Sequence, residues 1–196
     1  MRRFGLLAIL CITIIVLSFS GCTDSSPATI TPTPAPSSSA AEIGHSSSNP
    51  APIGQAVTGN SRQKMEDGSQ LTLTMVLENV TRGDMATKML DNYSGLPQVP
   101  GRGNEFLFAE FRADLVNFTP NETYSISNLN FVILSEGNFT NATPVILFNP
   151  TIQGGLMKGE TREGWVLFEI PANSTDPVIA YARGSDGSGG LWFRAY

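Results

Sequence analysis

Apolar and polar residues alternate with a period of two over the C-terminal two-thirds of the chain. In 104–118 (NEFLFAEFRADLVNF), Leu107, Ala109, Phe111, Ala113 and Leu115 fall on one side, and Glu110, Arg112 and Asp114 on the other. Successive side chains of a strand point to opposite faces, so this segment predicts a half-buried strand of an antiparallel sheet. In 69–81, Leu71, Leu73, Met75 and Leu77 alternate with Thr72, Thr74, Val76 and Glu78. In 164–171, Val166, Phe168 and Ile170 oppose Trp165, Leu167 and Glu169, and Pro171 ends the strand. Further strands are expected near 124–135, 144–149, 177–183 and 190–196. About seven short strands separated by Gly, Pro, Asn and Ser predict an all-β sandwich. Helix signals are scarce. Only 83–90 (GDMATKML) has the composition for a turn or two, inside the long connection 83–103.

The first 61 residues follow another pattern. Met1-Arg2-Arg3 is a short basic start, and 4–17 (FGLLAILCITIIVL) is almost wholly apolar. This matches the charged and apolar regions of a secretory signal. The run is too short for an ordinary spanning helix, which needs ~20 residues. FSGC (19–22) resembles a lipoprotein processing site, although Phe19 stands where Leu is commonest. Residues 1–21 are therefore expected to be a lipoprotein-type signal peptide, with Cys22 the lipidated new N-terminus. Cleavage after Gly21 without lipid, or an uncleaved anchor, are the alternatives. Arg2-Arg3 also raises twin-arginine export beside the general route. A lipoprotein-type cysteine carries two chains, enough for stable anchoring where one is marginal.

Residues 22–61 are rich in Ser, Thr, Pro and Ala, nearly uncharged and without aromatics. Such a segment buries too little apolar surface to offset its ordering entropy, so a disordered tether is expected. Ser and Thr among Pro also suit an O-glycosylated stalk. The single histidine, His45, falls in this segment and is expected to be a solvated linker residue. The chain's two cysteines are Cys11 and Cys22, so residues 62–196, the expected folded domain, contain no thiol. Disulfides, thiolate metal sites and cysteine nucleophiles are excluded there.

Several stretches carry a family resemblance. They are LTLTMVLENV (71–80), the strand opening with Gly103-Asn104 and running to Asn117, GGLMKGETREGWVLFEIP (154–171) with Gly164 leading to Pro171, and the closing LWFRAY. In this order they resemble the telokin-like, immunoglobulin-like sandwich family of bacterial and archaeal lipoproteins and secreted proteins, a domain of unknown function. The resemblance covers 62–196 and rests on strand edges and core residues. It implies an immunoglobulin-like antiparallel β-sandwich and a cell-surface setting, and it supplies no reaction.

Asn-x-Ser/Thr occurs at Asn79, Asn92, Asn117, Asn121, Asn138, Asn141 and Asn173. From the composition, chance predicts roughly two or three such motifs, so the excess favours a glycoprotein. Asn117, Asn121, Asn138 and Asn141 bracket the strand expected near 124–135, so that end of the sandwich is expected to be sugar-coated. The competing explanation is that Asn, Ser and Thr are common in β-turns. Net charge is −5, with 12 Lys and Arg against 17 Asp and Glu. The absence of a basic cluster argues against nucleic acid. Acidic turns at 91–95 (DNYSG) and 184–190 (GSDGSGG) are the nearest candidates for calcium, but neither has known ligand spacing.

The expected function is a non-catalytic module displayed outside the cell on the membrane, binding an envelope protein or glycan and needing no cofactor. The candidate surface is 83–103, where Met85, Met89, Leu90, Tyr93 and Leu96 could present an apolar contact; loops of that length are usually functional or disordered. Alternatively these residues cap the open end of the core. A second class is a structural component of the envelope. A third is a carboxylate-based hydrolase. Serine–histidine and cysteine–histidine chemistry lack their residues in 62–196, whereas Glu105, Glu110, Asp114, Glu160, Glu163 and Glu169 could supply a pair of acids.

Overall fold

The structure is a computed structural model and describes residues 42–60, 70–94, 97–119, 123–144 and 149–196. The expected signal peptide, Cys22, Asn121 and Leu96 lie outside the described residues. The elements are β1 (Ala56–Asn60), β2 (Leu71–Arg82), α1 (Gly83–Ser94), β3 (Asn104–Phe118), β4 (Tyr124–Ile126), a 3-10 turn (Asn128–Asn130), β5 (Phe131–Ser135), β6 (Asn138–Asn141), β7 (Gly154–Leu156), β8 (Thr161–Pro171), β9 (Val178–Tyr181) and β10 (Leu191–Arg194). One sheet has the order β1-β2-β3-β8, a second β10-β9-β5-β6, and β4 pairs with β7. All of these pairings are antiparallel. The all-β sandwich expected from the sequence is what the chain forms.

The alternation in β2, β3 and β8 has its expected result. Leu73, Met75, Leu77, Leu107, Ala109, Phe111, Ala113, Leu115, Val166, Phe168 and Ile170 share one buried cluster with Ile133, Ile179 and Phe193 of the other sheet. Rings continue across it. Phe111 lies 5.1 Å from Phe131 and 5.3 Å from Phe193. Phe131 lies 4.8 Å from Tyr181, and Tyr124 lies 5.7 Å from Phe118. Tyr124 and Tyr181 join the series through their hydroxyls, 2.8 Å apart and buried. Each supplies the other's hydrogen-bond partner, which removes most of the cost of burying two phenols.

The outer face of β3 carries a second apolar set. Phe106 and Phe108 are buried together with Leu167, under Ala86 and Leu90 of α1. Ala86, Met89, Leu90 and Tyr93 stand at i, i+3, i+4 and i+7, the spacing of one helix face. The connection 83–103 is thus helical over its first half and covers the outside of a sheet rather than the open end of the core.

The structure departs from the expected tether between 42 and 60. Ala51 is fully buried and makes a parallel bridge with Phe193. Its N–H donates to Trp192 O, and its carbonyl accepts from Arg194 N. The arm then becomes β1, whose Val57 is 2 % exposed. Composition hides this because the arm contributes little apolar surface; backbone pairing to two sheet edges holds it. On the other side, Thr143 and Thr151 bridge to β8. The strand expected near 144–149 falls mainly on 145–148, outside the described residues.

The glycine and asparagine that carried the resemblance have structural work. Gly103 sits at φ +83 in the turn entering β3. Glu169 accepts from Gly101 N and Asn104 Nδ2, both at 2.8 Å, and fixes that turn. Gly164 is crossed by the backbone of 151–152, and a Cβ there would overlap Thr151 and Ile152 main-chain atoms. Backbone cannot yield as a side-chain tip can, so Gly164→Ala is expected to lower unfolding free energy by about 3 kcal/mol or more, measured by urea denaturation of the purified protein. A loss below about 1 kcal/mol would show that the crossing is loose.

Candidate functional site

A cleft of about 520 Å³ opens along the seam where β1 of one sheet approaches β9 and β10 of the other. Its floor is apolar core: Leu73, Tyr181 and Leu191. Its rim is polar, with Glu42 and His45 from the arm and Thr58 from β1. Gly59, Gly189 and Gly190 complete the wall. The two hairpin glycines adopt φ +67 and +82, a conformation that L side chains rarely take, so this wall presents main chain. The cleft is open, and polar groups make up somewhat more of its exposed lining than apolar ones, with the apolar contribution concentrated on the floor.

Each wall has a local cause. Gly44 O accepts from Trp192 N at 2.8 Å, which pins the arm beside β10. A Cβ on Gly44 would overlap Val57, so the arm packs closely on β1. His45 Nε2 then lies 3.8 Å from Glu42 Oε2, an ion pair when the imidazole is protonated. His45 is therefore half-buried at the cleft rim, not the solvated linker residue expected from its neighbours. Thr58 is held by a 2.7 Å hydroxyl contact with Thr74. The hairpin 182–190 is closed by Gly184 N to Ser188 O and by Asp186, which accepts from Ser188 N and Oγ. Tyr181 stays a neutral phenol: burial, then the charge and hydrogen bond of Tyr124, raise its pKa far above the ordinary range.

A second hollow of similar volume is shallower and polar, with Ser47, Glu136, Asp176, Arg194 and Tyr196 among its lining. Neither hollow is lined by the six acids considered for hydrolysis. Glu105 pairs with Arg82, which also donates to Ser174 O at 2.9 Å. Glu160 accepts from Met157 N, and Asp114 accepts from Arg112 and Thr161. Glu110 and Glu163 stand on the open outer face of β3 and β8, beside Arg112 and Glu78. The carboxyl of Glu110 is raised by burial, then by Glu78 and Glu163.

The structure distributes the residues of the proposed apolar surface. Leu90 is buried at 4 %, Met89 and Tyr93 pack against the same cluster, and Met85 is exposed at 63 %. Asp91 of the first candidate calcium turn accepts from Gln98 N at 2.7 Å, turning the chain after α1. Of the sequons, Asn79, Asn92, Asn138, Asn141 and Asn173 are exposed, and Asn117 is half-buried. Among the described residues, no helix is long and apolar enough to cross a membrane. The seam cleft was not legible in the sequence, because it is assembled from four segments, one of them assigned to the tether.

No family model matches this chain, and no curated protein does. Two solved structures from Bacillus subtilis are similar to it. The yjhA protein has a TM-score of 0.45 at 12% identity, covering 74% of this chain and 98% of that one. The putative lipoprotein ycdA has a TM-score of 0.43 at 10% identity, covering 62% of this chain and 35% of that one, so the chain spans about a third of its length. At these identities the likeness concerns the fold alone.

The raised carboxyl of Glu110 gives a pH prediction. An acid whose pKa is raised on folding costs stability above that pKa and costs nothing below its unfolded value. Glu110→Gln is therefore expected to raise the urea midpoint at pH 7, with the gain vanishing as pH falls through the ordinary value of 4.5. A gain that persisted at pH 3.5 would assign the effect to packing.

Proposed function

We propose that the chain is a lipid-anchored, glycosylated surface protein of the telokin-like, immunoglobulin-like sandwich kind, whose seam cleft binds a small envelope-derived ligand without chemical conversion. Export and anchoring rest on the basic start, the short apolar run and Cys22. The observation that carries the binding role is that the arm entering the domain builds the rim of its apolar-floored cleft. A ligand there meets Tyr181 and Leu73 below and the Glu42, His45 and Thr58 side chains above. Such a set can orient an amphipathic molecule, with apolar contact for affinity and polar groups for orientation. The acids that a hydrolase would use hold strand ends and turns or stand on an open sheet face, which supports the non-catalytic reading over a two-carboxylate mechanism.

Fractionation and binding test the two halves separately. The processed chain, beginning at Cys22 and carrying lipid mass there, is expected in the membrane fraction, and Cys22→Ala is expected to release the protein to the medium. Thr58→Trp, which fills the cleft from an exposed strand position, is expected to lower retention on isolated envelope glycan and protein fractions at least tenfold. Cys22→Ala that stays in the membrane fraction contradicts the anchoring half, and equal retention of Thr58→Trp and the parent contradicts the binding half.

A further inference from the structure

The outer face of the β10-β9-β5-β6 sheet has its own apolar set. Trp192, Ala180, Val132 and Asn141 are aligned across the four strands by register, as are Arg194, Val178, Leu134 and Phe139. Trp192 is nearly buried, and its ring reaches across the small Ala180 to within 6.3 Å of Phe139. Phe139 nevertheless remains 45 % exposed. Beside it on the same strand face stands Asn141, exposed and the acceptor of the sequon Asn141-Ala142-Thr143. Among the described sequons, only Asn141 has an aromatic residue two positions earlier.

We propose that Asn141 carries an N-linked glycan whose first sugar is seated on Phe139, closing this face of the sandwich. This rests on the glycoprotein part of the proposed function. Side chains two apart on a strand share a face and stand roughly 7 Å apart, so a sugar on the Asn141 amide reaches the neighbouring ring. One face of a pyranose is lined by C–H bonds, which cover apolar ring surface, while its hydroxyls stay wet; exposed apolar area is thereby removed from water. Arg183 brings donors to the same place. Its guanidinium lies 3.7 Å from the Phe139 centroid and covers one face of the ring, so the sugar takes the ring surface that remains exposed. Asn138, three residues earlier, pairs with the buried Ser135 and so projects to the other side of β6. Two roles follow for the Asn141 glycan: it covers the apolar face, and its bulk hinders strand addition along the β6 edge.

The test uses the full chain purified from its own membranes, alongside the same chain made in a bacterium lacking N-glycosylation. Glycopeptide mass mapping is expected to find sugar on Asn141. Asn141→Gln is expected to lower Tm by about 2–4 °C in the glycosylated protein and to leave it unchanged in the unglycosylated one. In a Phe139→Ala background, or in Phe139→Leu should the alanine variant fail to fold, that gap closes. A bare Asn141 beside other occupied sequons overturns this inference and leaves the glycoprotein reading standing. Bare asparagines at every sequon overturn both. An occupied Asn141 with the same gap in the Phe139 variants overturns the seat.

Discussion

The contact of Phe111 with Phe131 and Phe193 is the interaction on which the remaining structure depends. It joins the longest strand of one sheet to two strands of the other at 5.1 and 5.3 Å. Tilted and edge-on ring pairs at such separations contribute beyond simple burial, of the order of 0.5–1.5 kcal/mol each. From Phe131 the series continues through Tyr181 to Tyr124 and Phe118, so the small β4–β7 pair is tied to the same core. With no cysteine in residues 62–196, the domain has no disulfide to substitute for this packing. The hydrogen bond between the two phenols gives each buried hydroxyl a partner inside the core.

That core also sets where binding can occur. Tyr181 is both a member of the ring series and part of the cleft floor. The cleft floor is therefore part of the ring-packed core, while its rim comes from the arm and a glycine-rich hairpin. The two outer faces are treated differently. On one sheet, Phe106, Phe108 and Leu167 lie beneath α1, and charged side chains occupy the remainder of the face. On the other, no helix covers the face among the described residues, and Phe139 is left partly exposed. A sugar on Asn141 would do for the second face what α1 does for the first.

How much of this could be read from the chain depended on what each segment buries. The strand at 104–118 was legible to its ends because five inward apolar residues alternate with charged ones. The same alternation concealed the helix packing, since Phe106 and Phe108 belong to the opposite face from Phe111. The helix was expected over eight residues and runs to Ser94, because Tyr93 extends its apolar side by one more turn. β1 escaped notice because AVTGN buries one large apolar side chain and follows Ser- and Pro-rich sequence. β6 (NFTN) is exposed along its whole length, and β7 (GGL) has two glycines, so neither shows an inward-facing pattern. The cleft joins residues far apart in sequence, and no local motif announces it.

The most direct test of the ring-centred core is the equilibrium unfolding of the purified protein with Phe111→Ala, followed by both near-ultraviolet dichroism and tryptophan fluorescence. The account predicts a single coincident transition in the parent and a loss of about 3–5 kcal/mol in the variant, with Trp165 and Trp192 reporting the same midpoint. A loss below about 1 kcal/mol, or separate transitions for the two probes in the parent protein, would contradict it.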